Sequence, residues 1–137
     1  MSEFISRYCA ATEAGDLDGM MATFTDDVEV VSPISGRMVF RGRDDAGHVM
    51  RAVYGGTLSD LKWGETLGEG SQRVVMGDTK ILGVRMTDAM VFELAEDGRI
   101  RRISPHLRPW LALTLFALVL GPKVARRPGV VLRALRG

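Results

Sequence analysis

From Leu58 to Leu107 the chain reads as strands only, and this run constrains the fold more than any other feature. Leu61, Trp63, Glu65 and Leu67 share one period-two phase, and Gly68 to Ser71 supplies a turn. The next strand runs from Gln72 to about Leu82, with Gly83 as the preferred turn and Gly77-Asp78 as the competing break. Glu96-Asp97-Gly98 is a strong hairpin turn and leads into a last strand from Arg99 to Leu107. Connections this short join antiparallel neighbours, because a parallel return needs a crossover of a dozen or more residues.

The third of these strands carries the most informative residue. In Met86-Thr87-Asp88-Ala89-Met90-Val91-Phe92-Glu93-Leu94, one face is Met86, Asp88, Met90, Phe92 and Leu94. It is apolar except for a single carboxylate. In a half-buried strand Asp88 points to the core side of the sheet. A carboxyl there finds a hydrogen-bonding partner or stays protonated, because desolvation disfavours the charged form. Buried structural ion pairs and functional acids both meet that description.

Ahead of the strands the chain is mostly helical. Residues 2–14 place Phe4, Tyr8 and Ala11 on one stripe, with Ile5, Cys9 and Thr12 beside it, and Gly15 ends the helix. Asp16 caps a second helix with Leu17, Met20, Met21 and Phe24 at i, i+3, i+4 and i+7, stopping near Thr25-Asp26-Asp27. Its methionines read as core filling. Val28 to Pro33 is a short strand ended by proline, with Val28, Val30 and Ser32 on one face. A strand from Arg37 to Arg41 follows, then a helix from Gly42–Asp45 through Tyr54 with Ala46, Val49, Met50 and Val53 buried and His48 beside that stripe, partly exposed. The order is α-α-β-β-α-β-β-β-β. Helices followed by strands imply an α+β domain, with helices covering one face of a curved antiparallel sheet.

A chain of 137 residues is one domain by size, and a hydrophobic fraction of 46% with 26% charged residues is that of an ordinary globular protein. Its net charge of +1 hides an asymmetry. Residues 1–107 hold 12 Lys+Arg against 17 Asp+Glu, whereas 108–137 hold six basic residues and no acid. The first part is the pocket domain; the second is a C-terminal apolar helix and basic tail. Trp110 to Leu120 has only Thr114 as a polar residue and is bounded by Arg108-Pro109 and Gly121-Pro122. It is too short for a bilayer span, which takes about 20 residues. The basic residues beyond it alternate with apolar ones, a pattern suited to peripheral contact with an anionic membrane surface. The competing reading packs the apolar helix on its own sheet.

One cysteine, Cys9, excludes an internal disulfide and is read as an inert buried thiol; with no secretory signal at the N-terminus, a cytoplasmic location is expected. Two histidines without ligand spacing leave no dedicated metal site, and no cofactor or nucleic-acid partner is expected.

The words Arg7-Tyr8-Cys9-Ala10-Ala11, Ala14-Gly15-Asp16-Leu17-Asp18-Gly19, Phe24-Thr25-Asp26-Asp27-Val28, Ser32-Pro33, Asp88-Ala89-Met90-Val91-Phe92 and Gly98-Arg99-Ile100 give the chain its resemblance. Over about residues 2–107 it resembles the nuclear transport factor 2-like, or SnoaL-like, superfamily, and within it ketosteroid isomerase (steroid Δ-isomerase). The resemblance implies a cone-shaped α+β fold around an apolar pocket, and a homodimer. In that family a tyrosine and a neutral aspartic acid hydrogen-bond a substrate carbonyl oxygen as it becomes an enolate. Tyr8 matches the tyrosine and Asp88 the acid. The family's proton-carrying aspartate, just before a proline, is Ser32 here, and a serine hydroxyl with no base beside it does not take a proton from carbon at neutral pH. Glu65, in phase with Trp63, and His106, near the end of the last strand, are the replacements. Ser32, Trp63, Met86, Met90 and Phe92 are the expected ligand contacts. The Asp-Arg-Asp arrangement of the epoxide-hydrolase branch fits less well, since Arg85 and Asp88 lie on opposite strand faces.

Three functions follow. The first is an isomerase, lyase or cyclase acting on a hydrophobic carbonyl compound, steroid- or polyketide-like, with steroid Δ-isomerisation itself in doubt at Ser32. The second is non-catalytic binding of a hydrophobic small molecule. The third is an interaction protein that docks through its tail.

Overall fold

A computed structural model describes residues 3–136. Two helices open the chain, α1 (Glu3–Ala14) and α2 (Leu17–Met21), followed by β1 (Phe24–Val31), β2 (Val39–Arg41) and α3 (Gly42–Ala52). A π-helical turn, Val53–Thr57, leads to β3 (Ser59–Leu67), β4 (Gln72–Ile81), β5 (Val84–Leu94) and β6 (Ile100–Ser104). A two-residue β7 (Leu107–Arg108), α4 (Trp110–Ala125) and α5 (Pro128–Arg136) complete it. The α+β order expected from the sequence is the order observed.

The strands form one curved, unclosed sheet in the order β2-β1-β6-β5-β4-β3, with β7 continuing the edge of β5 beyond β6. All pairings are antiparallel except β1 with β6, which run parallel because the whole of α3 to β5 intervenes. Leu82 and Gly83 both have positive φ and form the two-residue turn between Ile81 and Val84, so Gly83 turns the chain and Gly77 stays inside β4.

Several boundaries depart from expectation for local reasons. Phe24 continues the helical spacing of Leu17, Met20 and Met21, yet it is the first residue of β1, buried against Tyr8. Arg43 donates through Nη1 to the carbonyls of Met21 and Phe24, tying down the point where helix becomes strand. The expected strand at Arg37 begins only at Val39. At the other end, α4 runs through Gly121-Pro122 instead of stopping there. Pro122 lacks the N–H that would pair with the carbonyl of Leu118, and both residues sit on the exposed side of the helix, where water can take that carbonyl.

The core lies between the concave face of the sheet and α1, α3, α4 and α5. The C-terminal segment is docked on the body rather than trailing from it. The Arg133 guanidinium forks onto Asp45 at 2.8 and 2.9 Å, Lys123 donates to the Thr57 hydroxyl at 2.7 Å, and a ring nitrogen of His48 meets the carbonyl of Val124 at 3.0 Å.

Candidate functional site

A cavity of about 290 Å³ opens within the concave side of the sheet, at the lower end of the range of small-molecule sites. Its walls come from Val30 and Ser32 on β1, Met86, Asp88 and Met90 on β5, and Phe116, Leu120 and Val124 on α4, with Val131 of α5 at the rim. Residues 1–107 therefore do not close it alone.

Asp88 is the one ionisable side chain among the lining residues. It is 7% exposed. The strand phase read from the sequence delivers it there: Met86, Asp88, Met90, Phe92 and Leu94 are all buried, while their neighbours are not. The backbone N–H of His106 donates to Oδ1 of Asp88 at 3.3 Å. No other hydrogen bond to the carboxyl occurs among the described residues, so Oδ2 is left for an occupant of the cavity. Burial pushes the Asp88 carboxyl up to about 7, with the His106 N–H opposing the rise. Near neutral pH the acid therefore populates both forms, one a hydrogen-bond donor and the other a base.

Tyr8 lies deeper. It is fully buried and does not line the cavity. Its ring stands edge-on to Phe92 and Tyr54 and tilted to Phe24 and Trp63, with centroids 5.1 to 6.1 Å apart. Its hydroxyl meets that of Tyr54 at 2.6 Å. Burial and the neighbouring hydroxyl hold Tyr8 well above the ordinary phenol range, and burial also raises Tyr54. A negative charge on Asp88 would raise both further, which places the three groups within electrostatic reach of each other. One hydroxyl donates to the other, so the pair keeps one O–H to offer elsewhere.

Trp63 and Phe92 serve this aromatic wall rather than the cavity surface. Trp63 donates from its indole N–H to Thr12 Oγ1 at 2.8 Å and covers Gly77, where a Cβ would fall 2.6 Å from the indole carbons. Gly77 pairs with Asp88 on one side and Trp63 on the other, so the three stand in a row across β5, β4 and β3. Ser32 lines the cavity and its Oγ accepts from the Ile34 N–H at 3.1 Å, holding the turn after β1.

Glu65 and His106 do not reach the cavity. The register of β3 on β4 shifts between Trp63 and Thr66, and this bulge breaks the period-two phase, leaving Glu65 exposed. His106 is exposed as well; Nδ1 lies 3.2 Å from the Ala89 carbonyl and 3.1 Å from that of Ser104. Its contribution is the backbone N–H on Asp88. Tyr54, missed in the sequence, sits in the π-helical turn after α3, outside any regular stripe. Cys9 is half-buried and its thiol is pushed up to about 12 by burial, which leaves it unreactive at neutral pH.

The SnoaL-like domain profile matches residues 5–103 of this chain. The chain belongs to the SnoaL-like family. No curated protein matches it in sequence. Among solved structures, this SnoaL-like chain resembles a bacterial protein with a cystatin-like fold from Silicibacter pomeroyi (TM-score 0.86, 19% identity, covering 99% of this chain and 94% of that one). It also resembles a steroid delta-isomerase from Pseudomonas aeruginosa (TM-score 0.77, 18% identity, 96% and 93% covered). A third is SalBIII, described as an epoxide hydrolase/cyclase-like enzyme in pyran ring formation of the polyether salinomycin (TM-score 0.66, 18% identity, 80% and 91% covered). At these identities the likeness is one of fold. The first two coverages are high enough to take in α4, so the helix that walls the cavity belongs to the shared architecture.

Proposed function

We propose that the cavity binds a compact apolar molecule through a single carbonyl or ether oxygen held by the protonated carboxyl of Asp88, and that its chemistry is that of an isomerase or cyclase. One observation carries this reading: among the described residues Asp88 is the only ionisable group on a mostly apolar cavity wall, and it titrates near neutrality. The protonated form donates to the oxygen and stabilises charge that develops there. With Glu65 and His106 outside the cavity, Asp88 is also the base on the cavity wall, acting as donor when protonated and as base when ionised, one role at a time.

Titration with an apolar enone such as a steroid, followed from pH 5 to 9, tests the reading. Affinity should fall above about pH 7 in the parent protein, become insensitive to pH in Asp88→Asn, and drop at every pH in Asp88→Ala. Unchanged affinity in Asp88→Ala would remove Asp88 from the site.

Ser32 favours a second reading, in which the ligand is held without turnover. By the resemblance read from the sequence it stands where ketosteroid isomerases carry their proton-moving aspartate, and its Oγ is engaged with the Ile34 N–H. Binding that follows the Asp88 titration, with no conversion of a β,γ-unsaturated ketosteroid or an epoxide, would select it.

A further inference from the structure

A helix apolar on every face belongs in a core or in lipid, yet α4, whose one charged residue, Lys123, is engaged with Thr57, lies on the surface. Its inner face, Ala112, Phe116, Leu120 and Val124, is buried and walls the cavity. Its outer stripe is Leu111, Thr114, Leu118, Gly121, Pro122 and Ala125, all exposed and none charged. The one polar residue, Thr114, turns its hydroxyl back onto the carbonyl of Trp110 at 2.7 Å, so this face offers water almost nothing. Trp110 at its start is 76% exposed and Leu118 67%; on α5, Leu132 and Leu135 are 57% and 54% exposed. Charge frames these side chains. Residues 108–137 contain no acid, and the guanidinium groups of Arg108, Arg126 and Arg136 have no hydrogen-bonding or ion-pair partner among the described residues.

We infer that the α4–α5 hairpin is a docking surface for an anionic phospholipid bilayer, lying in the headgroup layer with Trp110, Leu118, Leu132 and Leu135 inserted and the free arginines on lipid phosphates. Apolar side chains with interleaved arginine and a tryptophan fit that interface. No helix among the described residues is long and apolar enough to cross a membrane, and α4, at 16 residues, lies along the surface instead. A second copy of this chain fits the face less well. A two-fold contact sets each surface against itself, and this segment has no acid to meet the repeated arginines. Docking also brings the helical wall of the cavity against the lipid. The ligand class that follows, an apolar compound partitioned into membranes, rests on the proposed function; the docking does not.

Co-sedimentation of the full chain with phosphatidylcholine vesicles, with and without phosphatidylserine, is the test. Binding is expected only with phosphatidylserine, to weaken with salt, and to shift Trp110 emission to the blue, a shift absent in Trp110→Phe. Each lost arginine should weaken partitioning about fivefold, so Arg126→Glu with Arg136→Glu should weaken it more than about 25-fold. Leu118→Asp should weaken it too. These residues are exposed, so melting should match the parent; if Leu118→Asp melts early, the arginine variant and the Trp110 signal decide. Asp88→Asn should bind vesicles as the parent does, which separates failure of the docking from failure of the pocket chemistry. Sedimentation with neither lipid, equal sedimentation with both, or a dimer that Leu118→Asp dissociates without any vesicle binding would overturn the inference.

Discussion

The hydroxyls of Tyr8 and Tyr54 meet at 2.6 Å although α1 and the turn after α3 set them 46 residues apart. Tyr8 is fully enclosed, so its O–H has no access to water and depends on this partner. Tyr54→Phe should therefore destabilise the fold by about 1–3 kcal/mol, the cost of an orphaned buried polar group. Tyr8→Phe should cost a similar amount, and the double variant less than the two added together. Urea denaturation of the four proteins measures the coupling; strict additivity would mean that the bond contributes nothing.

Asp88 gives stability an unusual pH dependence. Its carboxyl titrates near 3.8 when unfolded and about 7 when folded. Between those values the folded chain keeps the proton and the unfolded chain has released it, so stability falls as pH rises through that window and levels off above it. The whole fall is at most about 4 kcal/mol. Asp88→Asn should flatten the profile and raise stability at pH 8 relative to the parent, while keeping an oxygen for the His106 N–H. Melting temperatures of both proteins at pH 5 and pH 8 decide it.

These two sites differ in how far the sequence reveals them. Asp88 was legible because β5 keeps strict alternation along eleven residues, so a single carboxylate out of character marks its own face. Glu65 looked equivalent and was not, since a bulge in β3 reverses the phase after Trp63 and no residue there demands it. Tyr54 had no periodic signal at all: it follows the last regular turn of α3, and only the tertiary approach of α1 gives it a partner. Phe24 carries an ambiguous signal, because an apolar residue in phase with a helix can equally open a strand, as it does in β1. The order of elements survived these local errors, being fixed by glycine turns and long alternations. What closes the cavity did not, because apolar character along α4 announces burial without saying against what.

Gly77 ought to tolerate no side chain. A Cβ there would sit 2.6 Å from the indole of Trp63, which is held by its bond to Thr12. Gly77→Ala should cost about 1–3 kcal/mol by overpacking and disturb the wall beside Asp88. Removing the obstacle tests the cause: in a Trp63→Leu background the same alanine should cost almost nothing. A full cost there would locate the strain in the backbone of β4 instead.

The pair Asp45–Arg133 ties the last helix to α3 and so bears on the cavity wall. Asp45 is buried at the start of α3, and the Arg133 fork, its largest influence, holds the carboxyl below the ordinary carboxylate range. A lowered value means that the contact stabilises the fold above the unfolded carboxylate's titration and is lost only as pH falls through the lowered one. At neutral pH the tie is therefore complete, and Arg133→Ala leaves a buried carboxylate without its fork. The expected result is local: α5 loosens first, and trypsin cuts at Arg126-Arg127 several times faster than in the parent, while the sheet melts with little change. Asp45→Asn with Arg133 intact should fall between the two, since the amide oxygen still accepts from the guanidinium. If cleavage is unchanged in Arg133→Ala, α5 is held by Val130 and Ala134 packing alone, and the ion pair contributes nothing to closing the cavity.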